Sequence, residues 1–343
     1  VYVIIHDVKI KDAGEFGLIG ILADVIERES DKRLASWQGV VVGIGDDAAA
    51  WRGKKQTQLA TTDSLIEGVH FDLDIGTWEE LGWKSLAVNL SDIAAMGGVP
   101  EYALVALALP GELEVESISS LYQGMVRLAN EFGVAVVGGN ISSADRVMIT
   151  VTVLGSVESE AMLMRSAALP GEQVAVTGYT GLSAAGLRML KKKLDFAPEE
   201  YDLLRQAYLK PLPRVREGQM LLHCGVRTAI DISDGLMADL RHICESSGVS
   251  TIVQESWLPV HPVLKQRFPS DASAMVLAGG EDYELLFTAS SEVISRVKAN
   301  LLCPVTVIGE VKDGEPGKVE LVNATGRTLI CEHHGWEHFR SQL

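Results

Sequence analysis

Only four cysteines occur in the 343 residues, Cys224, Cys244, Cys303 and Cys331, and no two form a CxxC pair. That scarcity argues against a zinc knuckle or a disulfide framework and fits a reducing, cytoplasmic setting. Basic residues are also short, 30 against 46 acidic ones, so the net charge of -16 opposes nucleic acid or anionic lipid as a partner. No apolar run reaches membrane-spanning length. The apolar start Val1-Tyr2-Val3-Ile4-Ile5 is too short for a signal segment and lacks a basic flank. Several catalytic signatures are missing as well: there is no GxxxxGK[ST], no GxSxG, no HExxH, and no protein-kinase set of Lys, catalytic loop and DFG.

What is present is enough apolar material, 47% of residues, for two cores, and the length favours two domains. Strand-like runs rich in β-branched residues alternate with helical patterns, and Gly, Pro and Asp punctuate the joins, which is an α/β pattern. In the first half the pattern predicts helices over 15–29, 78–96 and 115–132, with strands over 39–44, 57–62, 102–108, 134–137 and 148–155. Gly97-Gly98 followed by Pro100 is a stop signal for the second helix. Periodicity is lost over 158–170, where the chain crosses into a second unit. There the pattern predicts strands over 173–177, 228–232, 251–254, 283–288 and 305–310, and helices over 183–192, 236–246 and 292–299. Residues 191–200 read as a polar surface excursion, and Pro211 and Pro213 bracket an extended stretch before a further helix.

Five short acidic loops stand out: Gly45-Asp46-Asp47, Thr61-Thr62-Asp63, Asn89-Leu90-Ser91-Asp92, Asp231-Ile232-Ser233-Asp234 and Gly280-Glu281-Asp282. Taken singly, each is explained by the preference of Asp and Asn for turns and helix caps. Together they form an oxygen-only set of the kind that hard divalent cations, and the phosphates those cations carry, require. Asp231 and Asp234 flank Ser233 directly after an apolar strand, where a simple cap would need only one of them. Asn89 and Asp92 share a face of an otherwise apolar helix, and a buried polar face is expensive unless satisfied. Gly43-Ile44-Gly45-Asp46-Asp47-Ala48 also matches the dinucleotide fingerprint GxGxxA, with Asp63 twenty residues beyond Gly43. Two carboxylates in that turn oppose a pyrophosphate, because like unit charges ~4 Å apart repel by roughly 4 kcal/mol at an effective dielectric of about 20. Gly178-Tyr179-Thr180-Gly181, between a strand and a helix, allows close approach of a phosphate, and a tight turn explains it equally well.

Motifs from Gly14 to Phe339 resemble the thiamine-monophosphate kinase family, within the aminoimidazole ribonucleotide synthetase-like superfamily. They are Gly14-Glu15-Phe16, GIGDDAA (43–49), TTDSLIEGVHF (61–71), WKSLAVNLSDIAAMGGVP (83–100), MRSAALPGE (164–172), DISDGL (231–236), GGEDYELLFT (279–288) and GWEHF (335–339). The resemblance implies ATP-dependent phosphorylation of thiamine monophosphate to thiamine diphosphate by in-line γ-phosphoryl transfer. It implies two domains of α/β (α+β type), an N-terminal sheet that pairs into a dimeric barrel and a C-terminal α/β sandwich, divided as 1–13, an N-terminal extension, 14–157 and 158–343. Implied cofactors are Mg²⁺, with K⁺ a further candidate cation and ATP the co-substrate, and the implied assembly is a cytoplasmic homodimer. Metal ligands carry over to Asp47, Thr61, Thr62, Asp63, Asp92, Asn140, Asp231 and Asp234. ATP contacts carry over to Gly139, Asn140, Arg165 and Ser233, and substrate contacts to His70, Glu281 and Trp336.

Phosphoryl transfer to a phosphate must bring two polyanions into line and needs little covalent help, so a set without a strong general base is consistent. One departure stands in the Gly138-Gly139-Asn140-Ile141 loop, where the family usually carries Gly-Gly-Asp-Thr. An amide oxygen still coordinates Mg²⁺ but brings no charge, and Asp145 lies five residues on. Three alternatives stay open: another ATP-using synthetase of the superfamily, a catalytically silent nucleotide-binding paralogue, and an NAD-dependent oxidoreductase.

Overall fold

The computed structural model describes residues 8–42, 50–51, 56–157 and 162–329. The chain divides into two units, Val1–Ile93 with Val99–Glu158, and Ala94–Gly98 with Ser159–Leu343. In the first half the elements are α1 (Ile10–Glu29), α2 (Ala35–Gly39), β1 (Val40–Val42), β2 (Ala50–Trp51) and β3 (Thr57–Ile66). They continue with α3 (Trp78–Ala95), β4 (Val99–Leu109), α4 (Val115–Phe132), β5 (Ala135–Ser143) and β6 (Met148–Val157).

Thr77 starts α3 with a reciprocal capping box: the Glu80 N–H donates to Thr77 Oγ1 at 3.2 Å, and the Thr77 N–H donates to Glu80 Oε2 at 2.9 Å. In α4 the buried residues Val115, Ile118, Leu121, Tyr122, Met125, Leu128 and Ala129 fall at three- and four-residue spacing, so one stripe faces the core. Gly133 ends it in the left-handed region, φ 74°, where glycine carries no steric penalty. The two helices cross closely: a Cβ on Gly82 would lie 1.8 Å from the Leu121 carbonyl oxygen, and one on Gly124 1.8 Å from that of Glu79.

Four strands form one sheet in the order β3-β6-β4-β5, with only the β4–β5 pair parallel. Asp63 pairs with Val151, which pairs with Val105, while Ser64 pairs with Thr150, which pairs with Ala106 and in turn Asn140. Because side chains alternate along a strand, the first row and the second lie on opposite faces. Val151 and Val105 are buried, whereas Ala106 and Asn140 are exposed.

Several expected boundaries shift. The strand expected over 102–108 begins at Val99 and accommodates Pro100 beside a register break at Pro100/Tyr102, the kind of site where a missing N–H is tolerated. The strand expected over 134–137 runs on to Ser143, so Gly138 to Ile141 is strand, not loop. Gly139 is there because a Cβ would meet the Val105 carbonyl oxygen at 1.8 Å. Likewise Thr61 to Asp63 lie inside β3 and Asn89 to Asp92 inside α3, so two further acidic segments are not loops.

The second half holds β7 (Gln173–Thr177), α5 (Leu182–Lys192), α6 (Pro198–Leu209), α7 (Val215–His223), β8 (Thr228–Asp231) and α8 (Leu236–Ser247). It continues with β9 (Ser250–Gln254), a short 3₁₀ turn (Glu255–Trp257), α9 (Pro262–Arg267), α10 (Ala272–Ala278) and β10 (Leu285–Ala289). The last described elements are α11 (Ser291–Asn300), β11 (Val305–Lys312), β12 (Val319–Val322) and β13 (Thr328–Leu329). Seven strands order as β13-β12-β9-β11-β7-β10-β8, with only β12–β9 parallel. Its core gathers Val174, Val176, Ile230, Leu240, Leu286 and Ile308.

Within the expected polar excursion, Pro198 instead opens α6, where a fixed φ suits the first turn and Glu199 and Glu200 complement the helix dipole. Its Leu204 and Tyr208 are buried. The fold is mixed α/β. Among the described residues no helix is long and apolar enough to cross a membrane.

Candidate functional site

In the first unit, β3 and α3 bring Thr61, Asp63 and Asp92 together. Thr61 Oγ1 donates to Asp92 Oδ2 at 2.5 Å. Burial, and then the charge and hydrogen bond of Asp92, push the Asp63 carboxyl up from 3.8 to about 6. A partly buried carboxyl raised in this way beside a like charge is the arrangement a cation would relieve. On the same face of α3, Asn89 is fully buried; its Nδ2 donates to the Ser85 carbonyl at 3.2 Å, while Oδ1 has no hydrogen-bond partner among the described residues.

Thr62 points to the opposite face of the sheet, where its hydroxyl donates to the Val151 carbonyl at 3.1 Å and accepts from Thr152 at 3.0 Å. Asn140 shares that exposed face on the far edge strand, with Gly139 beside it in β5. So within this unit Thr61, Asp63 and Asp92 converge, and Thr62 and Asn140 lie apart from them. His70 follows β3 in a turn where its Nδ1 accepts the Ile66 N–H at 3.1 Å, which leaves the proton of the neutral ring on Nε2.

In the second unit, β8 delivers Asp231 and α8 begins just after Asp234. Asp231 is 3% exposed. Gly235 caps α8 at φ 123°, and a Cβ there would come within 2.9 Å of the Ala278 backbone. Sequence reasoning missed Asp239, which is 2% exposed and accepts the N–H groups of Asp234 at 3.2 Å and Gly235 at 3.1 Å. Burial first, then the charges of Asp231 and Asp234, push its carboxyl up to about 8. The potential ligand atoms of Asp234, Asp239 and His242 all lie within 4.8 Å of one another. The only sequence signal for Asp239 is an acid in the first turn of a helix, which ordinarily serves the helix dipole.

The Gly280-Glu281-Asp282 segment is a genuine loop and lies against Ser233. The Glu281 N–H donates to the Ser233 carbonyl at 2.8 Å, and the Tyr283 N–H to that of Ile232 at 2.9 Å. A Cβ on Gly280 would stand 2.5 Å from the Ser233 carbonyl oxygen, so glycine permits this contact. Glu281 and Tyr283 adopt φ 63° and 51°. Such backbone costs about 1–3 kcal/mol per residue and persists only where surrounding contacts enforce it.

Asp282 accepts from the Gly181 N–H at 2.5 Å and the Ser183 N–H at 3.0 Å, at the start of α5. Those groups therefore serve a carboxylate of the chain itself, and Gly178 to Gly181 is a turn rather than an open phosphate cradle. Burial pushes Asp282 up to about 8, against the pull of the two N–H bonds. Next to it, Glu284 is 7% exposed and receives Arg214 in a fork, Nε at 2.7 Å and Nη2 at 2.6 Å, with the Thr177 hydroxyl at 2.6 Å.

Arg165 is exposed and follows Met164, which bridges to Thr228 at the start of β8. Its carbonyl accepts from Ser247 Oγ at 2.8 Å, at the end of α8, so its backbone lies at the other end of that helix from Asp234. Asp47 and Trp336 lie outside the described residues. Of the fingerprint Gly43 to Ala48, likewise outside them, only the flanks are described: β1 pairs antiparallel with β2 in a two-stranded sheet. A dinucleotide fold requires a helix after that turn and a parallel partner strand, so the oxidoreductase alternative falls.

Residues 45–157 match the family described as AIR synthase related protein, N-terminal domain. A thiamine-monophosphate kinase of Bacillus subtilis (strain 168) is 40% identical over 311 residues, covering 88% of this chain and 94% of the relative. The crystal structure of thiamine-monophosphate kinase from Stenotrophomonas maltophilia K279a is similar at a TM-score of 0.79 and 34% identity, covering 88% of this chain and 95% of that one. A structure described as AaThiL complexed with AMPPCP and TMP is 35% identical at a TM-score of 0.75, covering 97% of this chain and all 100% of its own. With identity of this level sustained over nearly the whole length, and the acidic motifs in the same chain, the protein belongs to the thiamine-monophosphate kinase family.

Proposed function

We propose that this chain transfers the γ-phosphoryl group of ATP to the phosphate of thiamine monophosphate, giving thiamine diphosphate and ADP, and that its acidic clusters hold the Mg²⁺ ions this transfer uses. Family membership supports the reaction. The observation that carries the residue assignment is the partly buried Asp63–Asp92 pair with Thr61 bonded to Asp92, where burial and like charge raise the Asp63 carboxyl as at a site short of positive charge. Asn89 Oδ1 on the same helix face, without a hydrogen-bond partner among the described residues, is a further oxygen donor suited to a hard cation. Asp47, Thr61, Thr62, Asp63, Asp92, Asn140, Asp231 and Asp234 would hold Mg²⁺, which when bound neutralises phosphate charge and lets two anions approach. K⁺ would be a separate, monovalent requirement.

The chain's own groups orient the reactants. Ser233, Gly139 and Asn140 offer hydrogen bonds to the nucleotide, and Arg165 can fork onto phosphate oxygens. Glu281, His70 and Trp336 would contact the acceptor, His70 through its Nε2 edge, since Nδ1 accepts the Ile66 N–H. The acceptor phosphate is already ionised near neutral pH, so no general base is assigned. We further infer a cytoplasmic homodimer with a domain boundary near residue 158. The test is to incubate purified protein with ATP, thiamine monophosphate and Mg²⁺, and to follow ADP release and thiamine diphosphate by chromatography. Stoichiometric product is expected. ATP binding without product, with Mg²⁺ and K⁺ varied, would overturn the kinase reading and favour a silent paralogue, the alternative that the uncharged Asn140 motivates.

A further inference from the structure

Each residue from Glu281 to Glu284 is tied to a neighbouring element. Glu281 and Tyr283 donate their N–H groups to the carbonyls of Ser233 and Ile232. Glu284 is held by Arg214 and Thr177. Asp282 reaches elsewhere, to the N–H groups of Gly181 and Ser183 at the first turn of α5. The residues on both sides of it, Glu281 and Tyr283, are left-handed without being glycine. Local preference opposes that backbone, so a contact must enforce it. A carboxyl group that accepts two N–H groups otherwise left over at the first turn of a helix ties the loop to that helix at two points.

We propose that Asp282 is a positioning residue: by docking on the N-terminus of α5 it fixes the left-handed Glu281, and so aims the Glu281 carboxylate while keeping its N–H on the Ser233 carbonyl. The functional part rests on the reading of Glu281 as a contact to the acceptor substrate. The Asp282 oxygens are engaged by the Gly181 and Ser183 N–H groups. Its loss therefore acts through Glu281 on the acceptor, and the helix-cap role alone would act only on stability.

Asp282→Asn tests this with little change of shape. The amide keeps one acceptor oxygen and turns an NH₂ toward the second N–H, so one bond is lost and a donor faces a donor. In the ligand-free protein, hydrogen exchange of the peptide covering Gly280 to Glu284 is expected to quicken about tenfold, the scale of one lost hydrogen bond, while β10 exchanges as before. In steady-state kinetics KM for thiamine monophosphate is expected to rise about tenfold, with KM for ATP within about twofold. Asp282→Ala should move both readouts further in the same direction, and Asp282→Asn carries the test if the alanine variant does not fold. Unchanged exchange in Asp282→Asn overturns the proposal. So does a lowered melting temperature with both KM values unchanged in a protein whose Glu281→Gln variant does raise KM for thiamine monophosphate. If Glu281→Gln leaves that KM alone while exchange in Asp282→Asn quickens, the substrate role of Glu281 fails and the anchoring of the loop by Asp282 stands.

Discussion

Asp63→Asn is expected to stabilise the metal-free protein while abolishing turnover. The carboxyl of Asp63 is raised from 3.8 to about 6 by burial and by Asp92. Carrying a carboxyl over that interval is worth about 3 kcal/mol once the pH exceeds both values. Solvent reaches part of the pair, so about 1–2 kcal/mol is expected at Asp63 itself. The sign follows from the raised value. Below pH ~4 the group is protonated folded or unfolded and no penalty exists; as pH climbs from ~4 to ~6 the unfolded chain ionises first, and above ~6 the penalty is complete. Asparagine retains the donor toward Asp92 and never ionises, so it removes the penalty. Thermal denaturation in a metal chelator should show Asp63→Asn melting about 3–6 °C above the parent at pH 7.5, at about 2–4 °C per kcal/mol for a unit of this size, and about 1–2 °C above it at pH 4.5. Mg²⁺ should raise the parent and close the gap, because a cation that binds only the folded state stabilises it. A gain equal at both pH values, or a loss at pH 7.5, refutes the like-charge reasoning.

Two further outcomes follow from packing and charge in the separate units. Arg214→Ala strands the Glu284 carboxylate, which is 9% exposed at its side chain, and should cost about 3–5 kcal/mol in urea unfolding, whereas Arg214→Ala with Glu284→Gln should cost less. Gly82→Ala places a Cβ 1.8 Å from a backbone oxygen of α4, which no side-chain rotation relieves, and should cost about 4 kcal/mol or more, seen as lost soluble yield or a lowered melting temperature.

Amphipathic spacing made α4 legible over Val115–Phe132, and β-branched alternation made β7 legible over Gln173–Thr177, each to its ends. Thr77 and Glu80 fix the start of α3 by local chemistry alone. The reading failed where a glycine was taken to end a strand, at Gly139 inside β5, and where a polar composition was taken for a surface excursion, at Pro198 opening α6. In the first, glycine serves the close approach of another strand. In the second, proline occupies the one helical turn that does not need its N–H.

The sequence by itself determined the family, the α/β character and the residue types of an oxygen-donor site, because motif order and periodicity are local properties that survive without coordinates. Tertiary structure decided how those residues group. Strand register alone sends Asp63 to the α3 side and Thr62 and Asn140 to the opposite face, since a single step along a strand reverses a side chain. Asp239 finds Asp234 and Gly235 within its own helix start, whereas loop docking alone gives Asp282 its partners, Gly181 and Ser183. The Asp282 contacts join residues about a hundred positions apart, a separation that no local pattern can encode.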